Sequence, residues 1–418
     1  MATATTRRTP ALGRPTRTTS RGTRTGTLRF VPPVTIKAKY SAPGAATATP
    51  GDLFEYGQPL LACFGKHTQR FGERGVGLCP KPAPTFLYHA MGQKHKHLFD
   101  QIANPDNIWE AYRKASLGKR TSMGYLLFKR DEGANIAWLS QRLLSGEYTP
   151  GEPRVFQVFE PKPREISALP FVDRVAQHAL CNIIEPVFDR VFLPQSFACR
   201  VGKGTHAAAA SVQAELRRHI AAGGEPWVLK TDFSRYFASV RRDVLHAEFA
   251  RKISCRRTTA LLHRFVAKDG CGLPIGNLVS QLAANLYGHI FDRWLAHSAG
   301  VTCFARYMDD VVVIGHSQVA MRLLQMQAGA FASHHMGLRF SRWSVQPWQA
   351  GVNFCGYRIW PTHKLLRKSS VVRAKRKLQR FDAAGDTHGR QKFLAAWLGH
   401  ASHADAHNLI THLGVANA

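Results

Sequence analysis

The sequence predicts an α+β protein in which helices are mixed with antiparallel strands. Apolar residues recur at three- and four-residue spacing in segments 107–114 and 135–144, which is the period of an amphipathic helix. Segments 302–308 and 311–315 are rich in apolar, aromatic and β-branched residues, which predicts a hairpin. Helices and antiparallel pairs mixed in this way favour an α+β protein over an alternating parallel sheet.

The other elements follow from the same patterns. In chain order we expect helices in 91–150, strands at Arg154–Glu160 and Glu165–Leu169, a helix at Asp173–Ile184, a strand and turn in 227–240, a helix in 280–297, a short strand in 353–360 and helices in 370–412.

The chain is strongly basic. Its 418 residues include 57 Lys and Arg against 27 Asp and Glu, so the formal net charge is +30. Such an excess repels itself unless a polyanion is bound, and nucleic acid is the default candidate. No apolar run approaches the roughly 20 residues that cross a bilayer, so we expect no membrane-spanning segment. The 8 cysteines contain no CxxC pair, which argues against a zinc module or a disulfide framework and favours a reducing cytoplasm.

Residues 1–90 differ in composition from the rest. The first 50 hold nine Arg or Lys and no acid, among many Thr, Ala, Pro and Gly residues. Such a segment buries too little apolar surface to fold, so we expect disorder up to about Met91. Three interpretations stay open: a basic tail that binds nucleic acid, a transit-peptide-like address, or an upstream stretch included through a mistaken start codon. A non-functional extension is the favoured interpretation.

Three acids are candidates for catalysis. Asp309 and Asp310 lie at the expected hairpin turn or at the start of its second strand, but Asp is common in turns. Asp232 ends an apolar strand, where Asp is otherwise depleted. On adjacent strands these acids could hold two hard cations roughly 3.5–4 Å apart, as phosphoryl transfer requires.

A Gly- and Pro-rich loop begins at Gly272 and precedes a helix that Ser280 could cap. Its small residues would allow the backbone to approach a base pair and an incoming nucleotide closely. Loops of this kind are common, so the segment alone is weak evidence.

Together these motifs have the order found in reverse transcriptases: the strand ending at Asp232, then GLPIG (272–276) with SQ (280–281), YMDD (307–310) and FCGY (354–357). From Met91 onward the chain resembles in particular the reverse transcriptases of diversity-generating retroelements of the Bordetella-phage type. The segments that carry this resemblance are FEPKPR (159–164), VAQHALC (175–181), GTHA (204–207) and IWPTHKLL (359–366). It implies a right-hand polymerase fold with N-terminal helices and fingers in 91–226, a palm with an antiparallel sheet in 227–357 and a helical, basic thumb in 358–418.

The resemblance also implies roles for single residues. Asp232, Asp309 and Asp310 would be catalytic and hold two Mg²⁺ ions. The residues expected to bind the nucleotide are Lys162, Arg164, Phe233, Phe237 and Ile275. Lys162 and Arg164 would clamp the triphosphate, and the ring of Phe237 would exclude a 2′-hydroxyl. The residues expected to contact template or primer are Arg200, Gly276, Ser280, Gln281, Tyr307, Met308, Gly356, Lys364, Lys368 and Lys375.

Ile275 carries an expectation about fidelity. Many reverse transcriptases have Gln at this position, and an aliphatic side chain lacks the amide that helps to align the nucleotide. With less polar alignment, a correct pair gains less over a mismatch. In the family that the chain resembles, this goes with misincorporation opposite template adenine, so we expect low fidelity at adenines.

The C-terminal part is basic and rich in histidine. Residues 358–380 contain nine Arg or Lys and no acid, so we expect them to contact the phosphates of a template–primer duplex by its A-form shape. His400, His403 and His407 lie at helical spacing, but a packed or solvated helix end is expected there rather than a metal site.

The sequence therefore predicts an RNA-directed DNA polymerase that binds template RNA, a cDNA primer and deoxynucleoside triphosphates. As the resemblance implies, it would make error-prone cDNA from a template-repeat RNA for mutagenic homing into a variable gene, with a small basic accessory protein as partner. Two alternatives stay open: a retron-like or group-II-intron-like reverse transcriptase without targeted mutagenesis, and a non-catalytic RNA-binding relic. We expect no DNA-binding, endonuclease or RNase H domain after the thumb.

Overall fold

The computed structural model describes residues 94–159 and 163–413, and it begins with helices, as the sequence predicts. These are α1 (Leu98–Ala103), α2 (Pro105–Ser116), α3 (Met123–Arg130) and α4 (Glu132–Ser145). The start of α2 is fixed locally, because the Asn104 side chain accepts a hydrogen bond from the Asp106 amide at 2.8 Å and Pro105 needs no partner in the first turn.

An antiparallel hairpin and two long helices follow. They are β1 (Arg154–Val158), β2 (Arg164–Ala168), α5 (Phe171–Asp189) and α6 (Thr205–Ala221). The predicted strands and the predicted helix from Asp173 are thereby confirmed. The expected disorder of residues 1–90 and the start near Met91 lie outside the described residues.

The centre of the fold is a four-stranded antiparallel sheet with the order β4-β5-β3-β6. Its strands are β3 (Trp227–Phe233), β4 (Phe304–Tyr307), β5 (Asp310–Gly315) and β6 (Phe340–Pro347). The helices between them are α7 (Tyr236–Ser239), α8 (Arg242–Ala250), α9 (Arg256–Phe265), α10 (Leu278–Arg293), which continues as a π-helical turn at Trp294–Ser298, and α11 (Gln318–Met336). The predicted hairpin is β4–β5.

The sheet separates two hydrophobic cores because side chains alternate between its faces. On β5, Val311 and Val313 pack into the core that contains α10 and α11. Val312 and Ile314 pack into a second core with α6 and the C-terminal elements. The strand is buried on both faces, which explains its uninterrupted apolar sequence.

After β6 the chain forms a small antiparallel sheet and three helices. They are β7 (Val352–Phe354), β8 (Tyr357–Ile359), β9 (Lys364–Leu366), α12 (Lys368–Ala384), α13 (Thr387–Ala401) and α14 (His407–His412). The single strand predicted for 353–360 is wrong, because positive φ angles at Cys355 (48°) and Gly356 (89°) fold it into a hairpin. Within the described residues, no helix combines the length and apolarity needed to span a bilayer.

Candidate active site

The three predicted acids meet at one end of the central sheet. Asp232 on β3 lies opposite Asp310 on β5 in the antiparallel register. Met308 and Asp309 form the two-residue turn between β4 and β5. The Phe233 amide donates a hydrogen bond to the Asp309 carbonyl at 3.1 Å, which fixes the turn beside the end of β3. The sheet register therefore brings Asp232, Asp309 and Asp310 together.

The electrostatics of this group favour a bound cation. Burial and the neighbouring charge of Asp232 raise the pKa of Asp309 to about 6. Two carboxylates held together repel each other when both are ionised, and a cation between them removes that cost. Carboxylate oxygens are the ligands that Mg²⁺ prefers in proteins. Asp232 and Asp309 thus fit a divalent ion.

Asp310 has a different environment. Lys230 lies two residues before Asp232 on β3, so both side chains are on the same face of the strand, and its ammonium group forms an ion pair with Asp310. Burial lowers the pKa of Lys230 to about 8. Sequence reasoning missed Lys230, although its two-residue spacing from Asp232 was a usable signal.

A serine from β6 completes the group. The Ser341 hydroxyl donates to the main-chain oxygen of Asp232 at 3.2 Å and lies 3.4 Å from its Oδ2. It was missed because β6 itself was not predicted.

The two predicted aromatic residues near Asp232 lie at different depths. The Phe233 ring is only 2% exposed and stacks on Phe340 at a centroid distance of 4.5 Å. It therefore stabilises the strand that carries Asp232 rather than lining the surface. Phe237 is half-buried, and its carbonyl accepts a hydrogen bond from the Leu273 amide at 2.7 Å, which ties it to the Gly-rich loop.

The loop at Ile275 and Gly276 packs against the β1–β2 hairpin. The Ile275 carbonyl accepts a hydrogen bond from the Ser167 amide at 2.8 Å. Gly276 has a φ of 109°, and a Cβ there would lie 3.0 Å from Cγ2 of Ile166, so the close approach requires glycine. Arg164 is exposed at the start of β2, and Lys162 lies outside the described residues.

The prediction that Ser280 caps a helix is wrong. Helix α10 begins at Leu278 with Asn277 at the N-cap, and the Leu278 amide donates to the Gln177 side chain at 2.9 Å. Ser280 is fully buried in the first turn, which removes it from direct contact with a template. Gln281 beside it is exposed.

Arg200 also differs from expectation, because its guanidinium is used inside the protein. It donates to the Asp189 carboxylate at 2.5 Å and to the carbonyls of Leu193 (2.9 Å) and Ser196 (3.0 Å). Its side chain is 9% exposed. The expected contact with template or phosphate is therefore replaced by a structural role at the end of α5.

The hairpin turn that contains Gly356 lies close to Lys230. The Lys230 ammonium is 5.8 Å from the centroid of the Phe354 ring, and the charge of Lys230 also acts on Cys355, whose pKa burial raises to about 12. The Gly356 carbonyl accepts a hydrogen bond from the Arg367 amide at 2.9 Å. Lys230 thus lies between the acids and this turn.

The remaining predicted residues surround this centre. Tyr307 and Met308 are half-buried at the β4–β5 turn. Lys364 is half-buried with its ammonium 5.7 Å from the Tyr357 ring centroid, whereas Lys368 and Lys375 are exposed on α12.

Two clusters of potential metal ligands are already engaged. The Tyr357 hydroxyl hydrogen-bonds to His400 Nδ1 at 3.0 Å, and His403 stacks on His206 at 3.7 Å, which agrees with the predicted packed helix end. Ligand atoms of Glu215, His219 and Cys303 lie within 4.8 Å of one another. The Arg218 guanidinium donates to both Glu215 and Cys303, so a cation already lies against this second cluster.

Comparison with known proteins identifies the fold that carries the acids. Residues 159–359 match the family model described as reverse transcriptase (RNA-dependent DNA polymerase). This region of the chain is thus similar to a reverse transcriptase domain. The matched range includes Asp232, Asp309, Asp310 and the turn at Gly356.

Curated relatives match over part of their length. The group II intron-encoded protein LtrA of Lactococcus lactis subsp. cremoris is 24% identical over 214 residues, which cover 47% of this chain and 35% of that protein. Protein YkfC of Escherichia coli K12 is 30% identical over 173 residues, which cover 38% of this chain and 44% of that protein. The chain thus spans less than half the length of these relatives. Among solved structures, apo telomerase from Candida tropicalis aligns with a TM-score of 0.43 and 8% identity, over 54% of this chain and 58% of that one.

Proposed function

We propose that this protein copies an RNA template into cDNA with frequent errors opposite template adenines. The observation that carries the polymerase activity is the meeting of Asp232, at the end of β3, and Asp309, in the β4–β5 turn, within a region that matches the reverse transcriptase model. Two bound Mg²⁺ ions would activate the primer 3′-hydroxyl and stabilise the leaving pyrophosphate. Asp232 and Asp309 bind the ions, and Lys230 neutralises Asp310 beside them.

The basic helix α12 supplies the contact with nucleic acid. Exposed cations of α12 are Lys368, Arg373, Lys375, Arg376 and Arg380. The helix contains one acid, Asp382, in its last turn. These side chains bind the phosphates of a template–primer duplex, so raising the salt concentration weakens binding steeply. Arg164 at the β1–β2 hairpin binds the triphosphate of the incoming nucleotide, together with Lys162.

The low fidelity rests on Ile275. Its main chain is fixed by the Ser167 hydrogen bond, and its half-buried aliphatic side chain offers no hydrogen bond to a nucleotide. In the proposed biological role, cDNA from a template-repeat RNA replaces part of a variable gene, with a small basic accessory protein as partner. The similarity to the intron-encoded LtrA favours the second candidate, a group-II-intron-like enzyme without targeted errors.

Primer extension on an RNA template with Mg²⁺ tests the activity, and sequencing of the products tests the fidelity. We expect Asp309→Asn to lower the rate at least ~10³-fold, because several kcal/mol of charge stabilisation is lost and each 1.4 kcal/mol is about tenfold. The matched control is Asp269→Asn at an exposed loop position, which should retain the wild-type rate. Equal rates for Asp309→Asn and wild type would refute the polymerase site.

The same products separate the two candidate enzymes. Errors concentrated at template adenines, and reduced in Ile275→Gln, support the mutagenic role. An adenine error rate that Ile275→Gln leaves unchanged contradicts the role of Ile275, and uniformly faithful products favour the group-II-intron-like enzyme. A nearby pair of genomic repeats that differ mainly at adenines would independently support the retroelement role.

A further inference from the structure

A fully buried ion pair lies directly beneath the turn that carries Asp309. Arg306 on β4 and Asp292 on α10 are both 0% exposed. The guanidinium donates to both carboxylate oxygens, Nε to Oδ1 at 2.7 Å and Nη2 to Oδ2 at 2.7 Å. This is the bidentate geometry that only arginine provides.

The remaining N–H groups of Arg306 donate to three further residues. Nη1 donates to the Met308 carbonyl at 3.1 Å and to Asn285 Oδ1 at 3.3 Å. Nη2 also donates to the Ser196 hydroxyl at 2.9 Å. All five N–H groups of the guanidinium therefore have acceptors.

Helix α10 leaves space for this group at one position. A Cβ on Gly288 would overlap Nη1 of Arg306 and would lie 2.6 Å from Cζ and 3.0 Å from the Tyr236 hydroxyl. Glycine within a helix is destabilising relative to alanine. The guanidinium occupies the volume that an alanine side chain would fill.

The contact with Met308 acts on the turn itself. Met308 has a φ of 56°, a left-handed conformation that is strained for a residue with a side chain. Its carbonyl belongs to the peptide group between Met308 and Asp309, so Arg306 fixes the orientation of that group. The peptide group on the other side of Asp309 is fixed by the Phe233 amide. Asp309 is thus held from both sides.

Stability alone does not account for the pair. Removing two charges from water has a large desolvation cost, and apolar side chains of similar volume often fill such a site without loss of stability. An apolar pair would offer no donor to the Met308 carbonyl. The retained charge therefore serves a contact that apolar packing cannot make.

We propose that Arg306, held by Asp292 and accommodated by Gly288, is a positioning residue that orients the Met308–Asp309 peptide and so sets the place of the Asp309 carboxylate. The proposal rests on the polymerase function proposed above. It assigns Arg306 no contact with substrate, because the side chain is fully buried.

The test is a single-turnover primer extension, since its rate constant does not depend on the fraction of protein that is folded. Arg306→Lys keeps a positive charge for Asp292 but loses the fork that reaches Met308. We expect the rate constant to fall about 10- to 100-fold, the affinity for template–primer to stay within about twofold, and Mn²⁺ binding, measured by electron paramagnetic resonance without substrate, to weaken. An unchanged rate constant with unchanged Mn²⁺ binding would overturn the proposal.

A second variant decides the matter if Arg306→Lys does not fold. Gly288→Ala displaces the guanidinium without altering any hydrogen-bonding group, and it should lower the same rate constant and Mn²⁺ affinity. Gly399→Ala in α13, where a Cβ would meet nothing within 4 Å, is the matched control. Wild-type protein that extends no primer refutes the proposed function, whereas active wild type and equally active Gly288→Ala refute only the role of Arg306.

Discussion

Two ion pairs flank the β4–β5 hairpin, and they differ in their access to water. The side chains of Lys230 and Asp310 are 19% and 25% exposed, whereas those of Arg306 and Asp292 are both 0% exposed. The first pair shares its environment with Asp232 and Asp309. The second is enclosed between β4 and α10.

One hairpin thus combines an exchangeable charge with a fixed one. The Lys230 ammonium can leave Asp310 for solvent, because water can hydrate the displaced group. The Arg306 guanidinium has no solvent to move into, and its donors are all used. The open pair therefore suits ligand binding, and the buried pair suits a scaffold.

The largest expected effect is on the free energy of unfolding, when aspartate is replaced by asparagine in each of the two ion pairs. Asp292→Asn leaves the Arg306 charge uncompensated in the interior and should lower the free energy of unfolding by about 3–5 kcal/mol. Asp310→Asn should lower the free energy of unfolding by at most ~1 kcal/mol, because that pair is partly exposed and the charge of Asp232 still compensates Lys230. Urea unfolding of both variants measures the difference. Similar losses in the two variants would contradict the distinction between the pairs.

A smaller expected effect is the pH dependence of stability that arises from His289, which is buried on α10 near the Arg306–Asp292 pair. Burial, with the nearby charges of Arg293 and Arg306, lowers the pKa of His289 on α10 to about 2. In the unfolded chain this histidine takes up a proton near pH 6.5, whereas in the folded protein it stays neutral. The free energy of unfolding therefore has its full value above pH 6.5 and decreases as the pH falls below 6.5. We expect this residue to account for about 2–3 kcal/mol between pH 6.5 and 4.5.

Urea unfolding at pH 7 and pH 4.5 measures that contribution. His289→Leu should flatten the loss of stability on acidification, whereas His388→Leu at an exposed position should not. The same slope in His289→Leu and wild type would show that the region is hydrated.

The smallest expected effect concerns the partly exposed Lys230–Asp310 pair. Lys230→Met removes the ammonium that compensates Asp310 and should lower the free energy of unfolding by about 1 kcal/mol without divalent ions. Mg²⁺ should then raise the melting temperature of the variant more than that of wild type, because the ion replaces the lost charge. Lys268→Met, at an exposed site, is the control. If Mg²⁺ raises the melting temperature equally in all three proteins, the metal ion does not bind at the position of the Lys230 ammonium.

Local patterns made much of the fold predictable. The helical period identified α2, α4, α5 and α10, and the apolar runs around Asp309 identified the hairpin. Neighbouring residues decide these features, since periodicity and turn chemistry act over a few positions. Strand β6 escaped because half of its side chains are exposed, so it lacks an apolar run. The pairing of β7 with β8 escaped because segment 353–360 was interpreted as one short strand.

The candidate acids, the basic segment that forms α12 and the order of the reverse-transcriptase-like motifs are all readable from the sequence alone. The contacts that hold these residues in place depend on the tertiary structure. Ser341 reaches Asp232 across 109 positions, and Arg200 binds Asp189 rather than reaching a template. Arg306 and Asp292 look like ordinary charged residues in the chain, and they become a buried pair because a strand and a helix pack together. Such pairings depend on contacts between distant segments, which no local pattern encodes.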